Sequence, residues 1–350
     1  MSSRLTNEIL FEATSCVQKV TLNRPTKLNC LTFEMIGELL RTFEEYEKDP
    51  QVRAVIVKGK GKAFCAGGDV VRVIQFMLHG DLYCVKEFYK NQLTLDNLVA
   101  TYKKPVVFLI NGAVMGGGAG LSMNAKFRIV TENTVFAMPE ASFGHYPDVG
   151  ASYFLSRLPG HFGEYLGLTG KKINGSEMIA SGLATHFVYS KDIESMENEL
   201  CQVLSLNASS KSVHESDILR IINEFVRNPV LKEGSILKRL DAINRCFGKD
   251  TVEEILFALI REGRKQTLRQ CLIREFNISG HILLRSFNYN DFYEGGKAIF
   301  FTKDRKFKWE PSNLEKVHDA IVMQFSEVVH DDRWGYLELP QRQVFKTSKL

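Results

Sequence analysis

Residues 105–158, PVVFLINGAVMGGGAGLSMNAKFRIVTENTVFAMPEASFGHYPDVGASYFLSRL, decide the fold of this chain. The β-branched apolar run at 106–110 predicts a buried strand, and three consecutive glycines then lead into an apolar segment typical of a helix. We therefore expect a strand, a glycine-rich turn and a helix. Such a turn presents backbone N–H groups near the positive end of a helix dipole, so it suits a permanent or transient negative charge.

Glycine-rich turns also serve nucleotide binding and helix packing. A dinucleotide-binding G-x-G-x-x-G motif that starts at Gly116 would need its third glycine at Leu121, so that motif is not matched. No G-x-x-x-x-G-K-[ST] sequence occurs either, which argues against a nucleoside triphosphate loop. The three glycines still suit close packing of a helix without any ligand.

A second glycine turn follows the β-rich run at 53–58. There the sequence GKGKAFCAGGD places Gly67 and Gly68 before another apolar, helix-like segment. Farther along the chain, Glu140 and Asp148 each follow a proline. Two donor-rich turns and two carboxylates are the groups needed to stabilise an oxyanion and to activate a water.

The motifs FCAGGD, MGGGAG and FAMPEASFGHYPDVGASYFLSRLPG, in this order, resemble the crotonase (enoyl-CoA hydratase/isomerase) superfamily. Within it, they resemble the 3-hydroxyisobutyryl-CoA hydrolases and their plant hydrolase-like relatives. The resemblance runs from LNRPTKLNCLTFEM to FKWEPSNLEKV with one interruption. It implies an α/β fold, a spiral of repeated ββα units with a helical C-terminal region. Alternating short strands and helices indicate an α/β fold by themselves, but they do not distinguish this spiral from a doubly wound sheet.

The resemblance also implies roles for four residues. The N–H groups of Gly68 and Gly117 would form an oxyanion hole for the thioester carbonyl, each donor being worth roughly 3 kcal/mol. Glu140 matches the carboxylate beside the thioester carbon, which either deprotonates a water or attacks the carbonyl itself. Asp148 matches an aspartate that binds the 3-hydroxyl of the substrate and assists protonation of the departing thiolate.

Both carboxylates have a structural alternative. Glu140 is also a favourable glutamate for the first turn of a helix after a proline. Asp148 is also a good N-cap for a helix at 149–158.

Gly120 helps to distinguish hydrolysis from hydration, because hydratases of the superfamily carry a second catalytic glutamate at the matching position. Hydration needs two carboxylates across the alkene, whereas thioester hydrolysis proceeds with one carboxylate and a water, so hydrolysis is favoured. We assign Gly120 to substrate binding together with Gln92, where the family often has glutamate. His145, where leucine is commoner, is a third substrate-binding candidate, although a packed histidine is the simpler interpretation.

Recognition of coenzyme A is less clearly encoded. Lys27, Ala66 and Lys62 surround the turn at Gly67 and Gly68 and are weak candidates for contact with the nucleotide end of the substrate. For any single lysine, a solvated basic loop is the simpler interpretation.

Composition excludes several classes of protein. The 350 residues give a prior of about two domains, and 44% apolar residues supply a sizeable core. The net charge of +4 is spread among mixed charges, so we expect no nucleic-acid partner, and no apolar run approaches the length of a membrane span. The seven cysteines and eight histidines are scattered, which predicts reduced thiols inside a cell and no metal site. We expect no cofactor, since coenzyme A is part of the substrate.

The chain divides into three predicted parts. These are a spiral core with the site residues (1–192), a mostly helical region (193–340) and a tail (341–350). Relative to the family pattern, the helical region lacks several helical turns near 259–261, which would uncover apolar surface unless the remaining helices repack. We expect reduced stability or activity from this loss. A last strand-like piece is expected at 298–301.

The tail ends Ser348-Lys349-Leu350, a tripeptide that is read as a peroxisomal address when it is free at a C-terminus. It predicts the peroxisomal import receptor as a partner and the peroxisome as the location.

The expected activity is hydrolysis of a short 3-hydroxyacyl-CoA thioester, most like that of 3-hydroxyisobutyryl-CoA in valine breakdown. One alternative is hydrolysis of another short acyl-CoA or enoyl-CoA. The other is a catalytically weak acyl-CoA-binding protein.

Overall fold

The computed structural model describes residues 7–206, 214–248, 254–286, 289–313, 316–317 and 319–342. The predicted peroxisomal address at 348–350 lies outside these residues.

The described strands form two sheets. In chain order the strands are β1 (Ile9–Thr14), β2 (Val17–Leu22), β3 (Ala54–Gly59), β4 (Ala63–Cys65), β5 (Val106–Ile110), β6 (Ala113–Met115), β7 (Phe127–Val130), β8 (Val135–Ala137), β9 (Ile173–Asn174) and β10 (His186–Phe187). One sheet has the order β1-β2-β3-β5-β7-β10, and the other has the order β4-β6-β8-β9.

From β3 onward, each successive pair of strands contributes one strand to each of the two sheets. β3, β5 and β7 are parallel neighbours in the first sheet, and β4, β6 and β8, which directly follow them in the chain, are parallel neighbours in the second. The β3–β4 pair leads into helix α2 (Val70–Leu78) and the β5–β6 pair into helix α4 (Gly117–Met123). The β7–β8 pair leads into a 3₁₀ helix at Glu140–Phe143. This repetition confirms the predicted spiral of ββα units.

The remaining helices surround the sheets. They are α1 (Phe33–Lys48), α3 (Leu82–Ala100), α5 (Ala151–Phe154), α6 (Phe162–Thr169), α7 (Gly175–Ala180), α8 (Ile193–Leu206), α9 (Glu215–Phe225), α10 (Leu240–Phe247), α11 (Glu254–Gly263), α12 (Leu268–Leu283), α13 (Asp291–Gly296) and α14 (Asp319–Ser326). From Ile193 onward the regular elements of the described residues are all helical, which confirms the predicted helical C-terminal region. In the parts of the chain described, none of the helices is both long and apolar enough to cross a bilayer.

Both faces of the six-stranded sheet are buried at its central strands β3 and β5, and β3 shows how. Val55 and Val57 belong to the main core, whereas Ala54 and Ile56 belong to a second cluster. That second cluster includes apolar side chains of α8 and α9, which therefore cover the outer face of the sheet. Burial on both faces explains why these strands read as continuous apolar runs rather than alternating ones.

The strand predicted at 298–301 is wrong. The chain there forms a π-helical turn, Lys297–Phe301, which directly continues α13. Gly295 allows α13 to lie against the backbone of Phe143, since a Cβ on Gly295 would meet the Phe143 carbonyl at 2.6 Å. The apolar run after it therefore continues a helix docked on Phe143 and does not mark a strand.

Helices pack against each other near 259–261, where the sequence indicated that several helical turns are missing relative to the family pattern. Leu259 and Ile260 are buried, and the last turn of α11 lies against α5. A Cβ on Gly263 would come within 1.8 Å of the Ser152 carbonyl oxygen. Among the described residues near 259–261, the apolar side chains are therefore buried, and the exposed apolar surface that we expected there is not found.

Replacing Gly263 with alanine tests this contact. The added methyl group has no space beside the Ser152 carbonyl, so Gly263→Ala should lower the free energy of unfolding by about 1–3 kcal/mol. The matched control is Gly37→Ala in α1, where a Cβ would meet nothing within 4 Å. That control should raise stability by about 0.5–1 kcal/mol, because alanine is the better helix former. Chemical denaturation measures both, and equal stabilisation by the two variants would contradict the close docking of α11.

Candidate active site

The two predicted glycine turns lie side by side. β4 and β6 are parallel neighbours, so the turns that follow them emerge at the same edge of the second sheet. A Cβ on Gly117 would be 3.2 Å from the Gly68 nitrogen, which shows how closely the turns approach. Together they border a cavity of about 680 Å³, a volume typical of small-molecule sites.

Both turns offer backbone donors to this cavity. The N–H groups of Gly68 and Gly117 donate to no other residue of the described chain. Gly67 has φ +110° and Gly116 has φ +46°, values in the left-handed region that favours glycine. The glycines therefore hold a backbone path that leaves two donors free side by side.

Glu140 lies against the turn at Gly116 and Gly117. It is the first residue of the 3₁₀ helix, directly after Pro139, and its side chain is buried. Its Oε1 atom would be 2.8 Å from a Cβ on Gly116, and its Oε2 atom has no hydrogen-bond partner among the described residues. Burial, followed by the negative charge of Asp148, holds the pKa of Glu140 well above its usual range. Glu140 thus occupies the first helical turn, as the structural alternative expects, and it also places an unpaired carboxyl oxygen near the two free donors.

Asp148 also lines the cavity. The alternative that it caps a helix is wrong, because Gly150 is the N-cap of α5 and no side chain caps that helix. The predicted helix at 149–158 is shorter than expected, since α5 covers four residues and a 3₁₀ turn, Leu155–Arg157, follows it. The Asp148 side chain is thus available to the cavity.

His145 is both packed and part of the cavity wall. Its ring lies 4.9 Å from the rings of Tyr146 and Phe292. Its Nε2 atom is 3.3 Å from the Tyr89 hydroxyl and 3.7 Å from Oδ2 of Asp148, and its Nδ1 atom is buried without a partner in the described chain. His145, Tyr89 and Asp148 therefore form one polar group on an otherwise aromatic wall.

Gln92 and Gly120 differ in what they present to the cavity. Gln92 lines it, and its amide donates to Oδ1 of Asp96 (2.7 Å) and to the Gly117 carbonyl (3.4 Å). Gly120, predicted to bind substrate, lies outside the cavity lining. A Cβ on Gly120 would meet Cβ of Val149 at 2.5 Å and Oδ2 of Asp96 at 2.8 Å, so these two side chains already fill the space beside it.

Of the three weak candidates for coenzyme A contact, Lys27 and Ala66 line the cavity. Lys62 does not, because it precedes β4 whereas Ala66 follows that strand and reaches the glycine turn. At the cavity mouth Arg24 is already paired with Glu8 (3.1 Å) and Asp69 (3.0 Å). Within the described ranges, no group of three or more His, Cys, Asp or Glu side chains is arranged to hold a metal ion.

Sequence reasoning missed two buried carboxyl groups next to the cavity. Asp96, on α3, has its pKa held well above its usual range by burial and by the charge of Asp148. Glu275, on α12, is fully buried, and its burial raises its pKa to about 7. The sequence did contain a signal for both, because each is an acidic residue on the apolar face of its helix. Asp96 lies four positions after Gln92, and Glu275 lies four positions before Ser279.

The enoyl-CoA hydratase/isomerase family model matches residues 17–260 and 255–326. The chain therefore belongs to this family, in agreement with the two glycine turns and the ββα spiral. Among known proteins it is similar to the probable 3-hydroxyisobutyryl-CoA hydrolase 3 of Arabidopsis thaliana, being 46% identical over 378 residues with 98% of each chain covered. It is 44% identical to 3-hydroxyisobutyryl-CoA hydrolase 1 of the same plant, covering 96% of this chain and 95% of the relative.

A solved structure agrees with these relatives on the fold. A carnitinyl-CoA dehydratase from Mycobacterium thermoresistibile superimposes with a TM-score of 0.81 at 28% identity, covering 95% of this chain and 99% of the other.

Titration of Glu140 tests the electrostatics of the cavity. The raised pKa means that the protonated carboxyl persists to higher pH than that of an exposed glutamate. Asp148→Asn removes the neighbouring negative charge, so the pKa of Glu140 should fall in that variant. The infrared band of the protonated carboxyl, identified by its loss in Glu140→Gln, follows the titration. An ordinary midpoint in the wild type, or the same midpoint in both proteins, would contradict the arrangement.

Proposed function

We propose that this protein hydrolyses a short 3-hydroxyacyl-CoA thioester to the free acid and coenzyme A. The observation that carries the proposal is the buried, unpartnered Oε2 atom of Glu140 beside the free N–H groups of Gly68 and Gly117 in the described chain. 3-Hydroxyisobutyryl-CoA, named for the relatives above, is the substrate that we propose, which would place the protein in valine breakdown. No cofactor is required beyond the coenzyme A portion of the substrate.

In this mechanism the thioester carbonyl accepts hydrogen bonds from Gly68 and Gly117. Glu140 removes a proton from a water, whose oxygen attacks the carbonyl carbon, or Glu140 attacks that carbon itself; in this second route, loss of the thiolate leaves an anhydride, which water then hydrolyses. Negative charge forms on the carbonyl oxygen and is stabilised by the two donors. The C–S bond then breaks, and the departing thiolate takes up a proton, with assistance from Asp148, to give the free thiol.

Hydrolysis fits the site better than hydration does. A hydratase needs two carboxylates across the alkene, and the position that supplies the second one in hydratases is Gly120 here. The side chains of Val149 and Asp96 fill the space beside Gly120, so a larger residue has no room there. The site therefore lacks the second carboxylate that hydration needs, and Glu140 with a water is suited to hydrolysis of a thioester.

The polar group of Tyr89, His145 and Asp148 supports a hydroxylated acyl chain. These side chains lie on the cavity wall among aromatic rings, where they offer directional hydrogen-bond partners to a polar group of the substrate. We propose that Asp148 accepts a hydrogen bond from the 3-hydroxyl and that His145 orients Asp148. Gln92, whose Oε1 atom is buried without a partner in the described chain, contributes from the other side of the Gly117 turn.

We also propose import into the peroxisome through Ser348, Lys349 and Leu350, which requires Leu350 to be the free C-terminal residue.

Release of free coenzyme A from 3-hydroxyisobutyryl-CoA, followed with a thiol reagent, tests the function. Glu140→Gln should reduce kcat by about a hundredfold to ten-thousandfold, because it removes the base or nucleophile. Asp148→Asn should lower kcat and should also abolish the preference for 3-hydroxyisobutyryl-CoA over isobutyryl-CoA. The matched control is Glu132→Gln, an exposed glutamate that bonds Ser190 and does not line the cavity. This variant should retain full turnover.

The outcomes separate the alternatives. Turnover that is lost in Glu140→Gln but equal for both acyl groups would replace the proposed substrate with another short acyl-CoA. Binding of the thioester without release of thiol would identify an acyl-CoA-binding protein. Conversion of crotonyl-CoA to its hydrated product at a rate above hydrolysis would overturn the proposal in favour of a hydratase.

A further inference from the structure

The loop that carries Asp148 has an unusual backbone. Val149 has φ +56° and Gly150 has φ +80°, so two successive residues are left-handed directly after the carboxylate. A β-branched residue such as valine rarely adopts this conformation, and backbone strain of this kind persists only when the surroundings hold it. The Val149 side chain is buried against Gly120. Something outside the loop must therefore fix this path.

The carboxylate of Glu275 holds the loop after Asp148. Its Oε2 atom accepts a hydrogen bond from the Gly150 N–H (2.6 Å). Its Oε1 atom accepts from the Ser152 N–H (3.1 Å) and from the Ser152 hydroxyl (2.5 Å). Glu275 is fully buried, so both oxygens are occupied by this loop rather than by solvent.

The same residue also holds the loop before Asp148. The Tyr146 hydroxyl donates to the backbone carbonyl of Glu275 (2.5 Å) and contacts the hydroxyl of Ser279, one turn farther along α12 (2.9 Å). Contacts at Tyr146 and Gly150 lie two residues on either side of Asp148. One position of α12 thus anchors both ends of the segment that presents the carboxylate.

We infer that Glu275 is a positioning residue for Asp148, through which the C-terminal helical region sets the geometry of the active site. The inference rests on the proposed function of Asp148. Glu275 does not line the cavity and touches no part that a substrate would occupy. Replacing its carboxylate should therefore affect the reaction only through the position of Asp148.

Glu275→Gln is the test variant. An amide in this place puts an N–H₂ group opposite an N–H or a hydroxyl of the loop, so at least one of the three hydrogen bonds is lost and the loop shifts. Because small misplacements of reacting groups are costly, kcat should fall about tenfold or more while KM changes by less than about threefold. Ser152→Ala removes only the hydroxyl contact and should have a smaller effect in the same direction.

The matched control is Glu177→Gln. Glu177 is also a buried carboxylate that accepts from two backbone N–H groups, those of Asn174 (2.9 Å) and Ile236 (3.3 Å), and from a serine hydroxyl, that of Ser235 (2.7 Å). It does not line the cavity. Glu177→Gln should therefore lower the melting temperature as Glu275→Gln does, but it should leave kcat unchanged.

Hydrogen exchange of the full-length protein without substrate separates this inference from the proposed function. Amides of residues 145–152 should exchange faster in Glu275→Gln than in the wild type, and Glu177→Gln should not change them. Equal losses of kcat in the two glutamine variants, or a loop that exchanges at the wild-type rate in Glu275→Gln, would overturn the inference. Wild-type protein without hydrolase activity would refute the proposed function, while the exchange data would still decide whether Glu275 holds the loop.

Discussion

Two backbone N–H groups that have no acceptor within the described protein are the constraint on which the site depends. Gly68 and Gly117 come from different repeats, and they meet only because β4 and β6 are parallel neighbours in the second sheet. This pairing in turn requires each repeat to give one strand to each sheet. The fold thus produces the two donors from main chain alone, and in the proposed mechanism the side chains supply the base or nucleophile and the proton transfer.

Those side chains are carboxyl groups in a poorly solvated place. Burial disfavours the charged forms of Glu140, Asp96 and Glu275, and the negative charge of Asp148 adds to this effect at all three. Ionisation at one position therefore makes ionisation at the others harder. Glu140 acts as base or nucleophile only in its charged form, so the raised pKa places the proposed reaction at a higher pH than an exposed glutamate would require.

The sequence predicted the local parts of this arrangement well. The glycine turns, the β-rich run at 53–58 and the strand at 106–110 follow from spacing and from residue chemistry, and the structure has each of them. The contacts of Asp96 and Glu275 depend on which helix faces which loop, and no pattern within one helix encodes that. The run at 298–301 misled for a related reason, since consecutive apolar residues are typical of a buried strand, whereas here they continue a helix docked on Phe143 and only Ala298 among them is buried.

The thioester carbonyl bound to Glu140→Gln offers the most direct measurement. Hydrogen bonds from Gly68 and Gly117 should polarise this carbonyl before any bond breaks, so its infrared stretching band, assigned by ¹³C labelling, should move to lower wavenumber than in free solution. A band at the position found in water, from substrate that is demonstrably bound, would contradict an oxyanion hole formed by the two glycine turns.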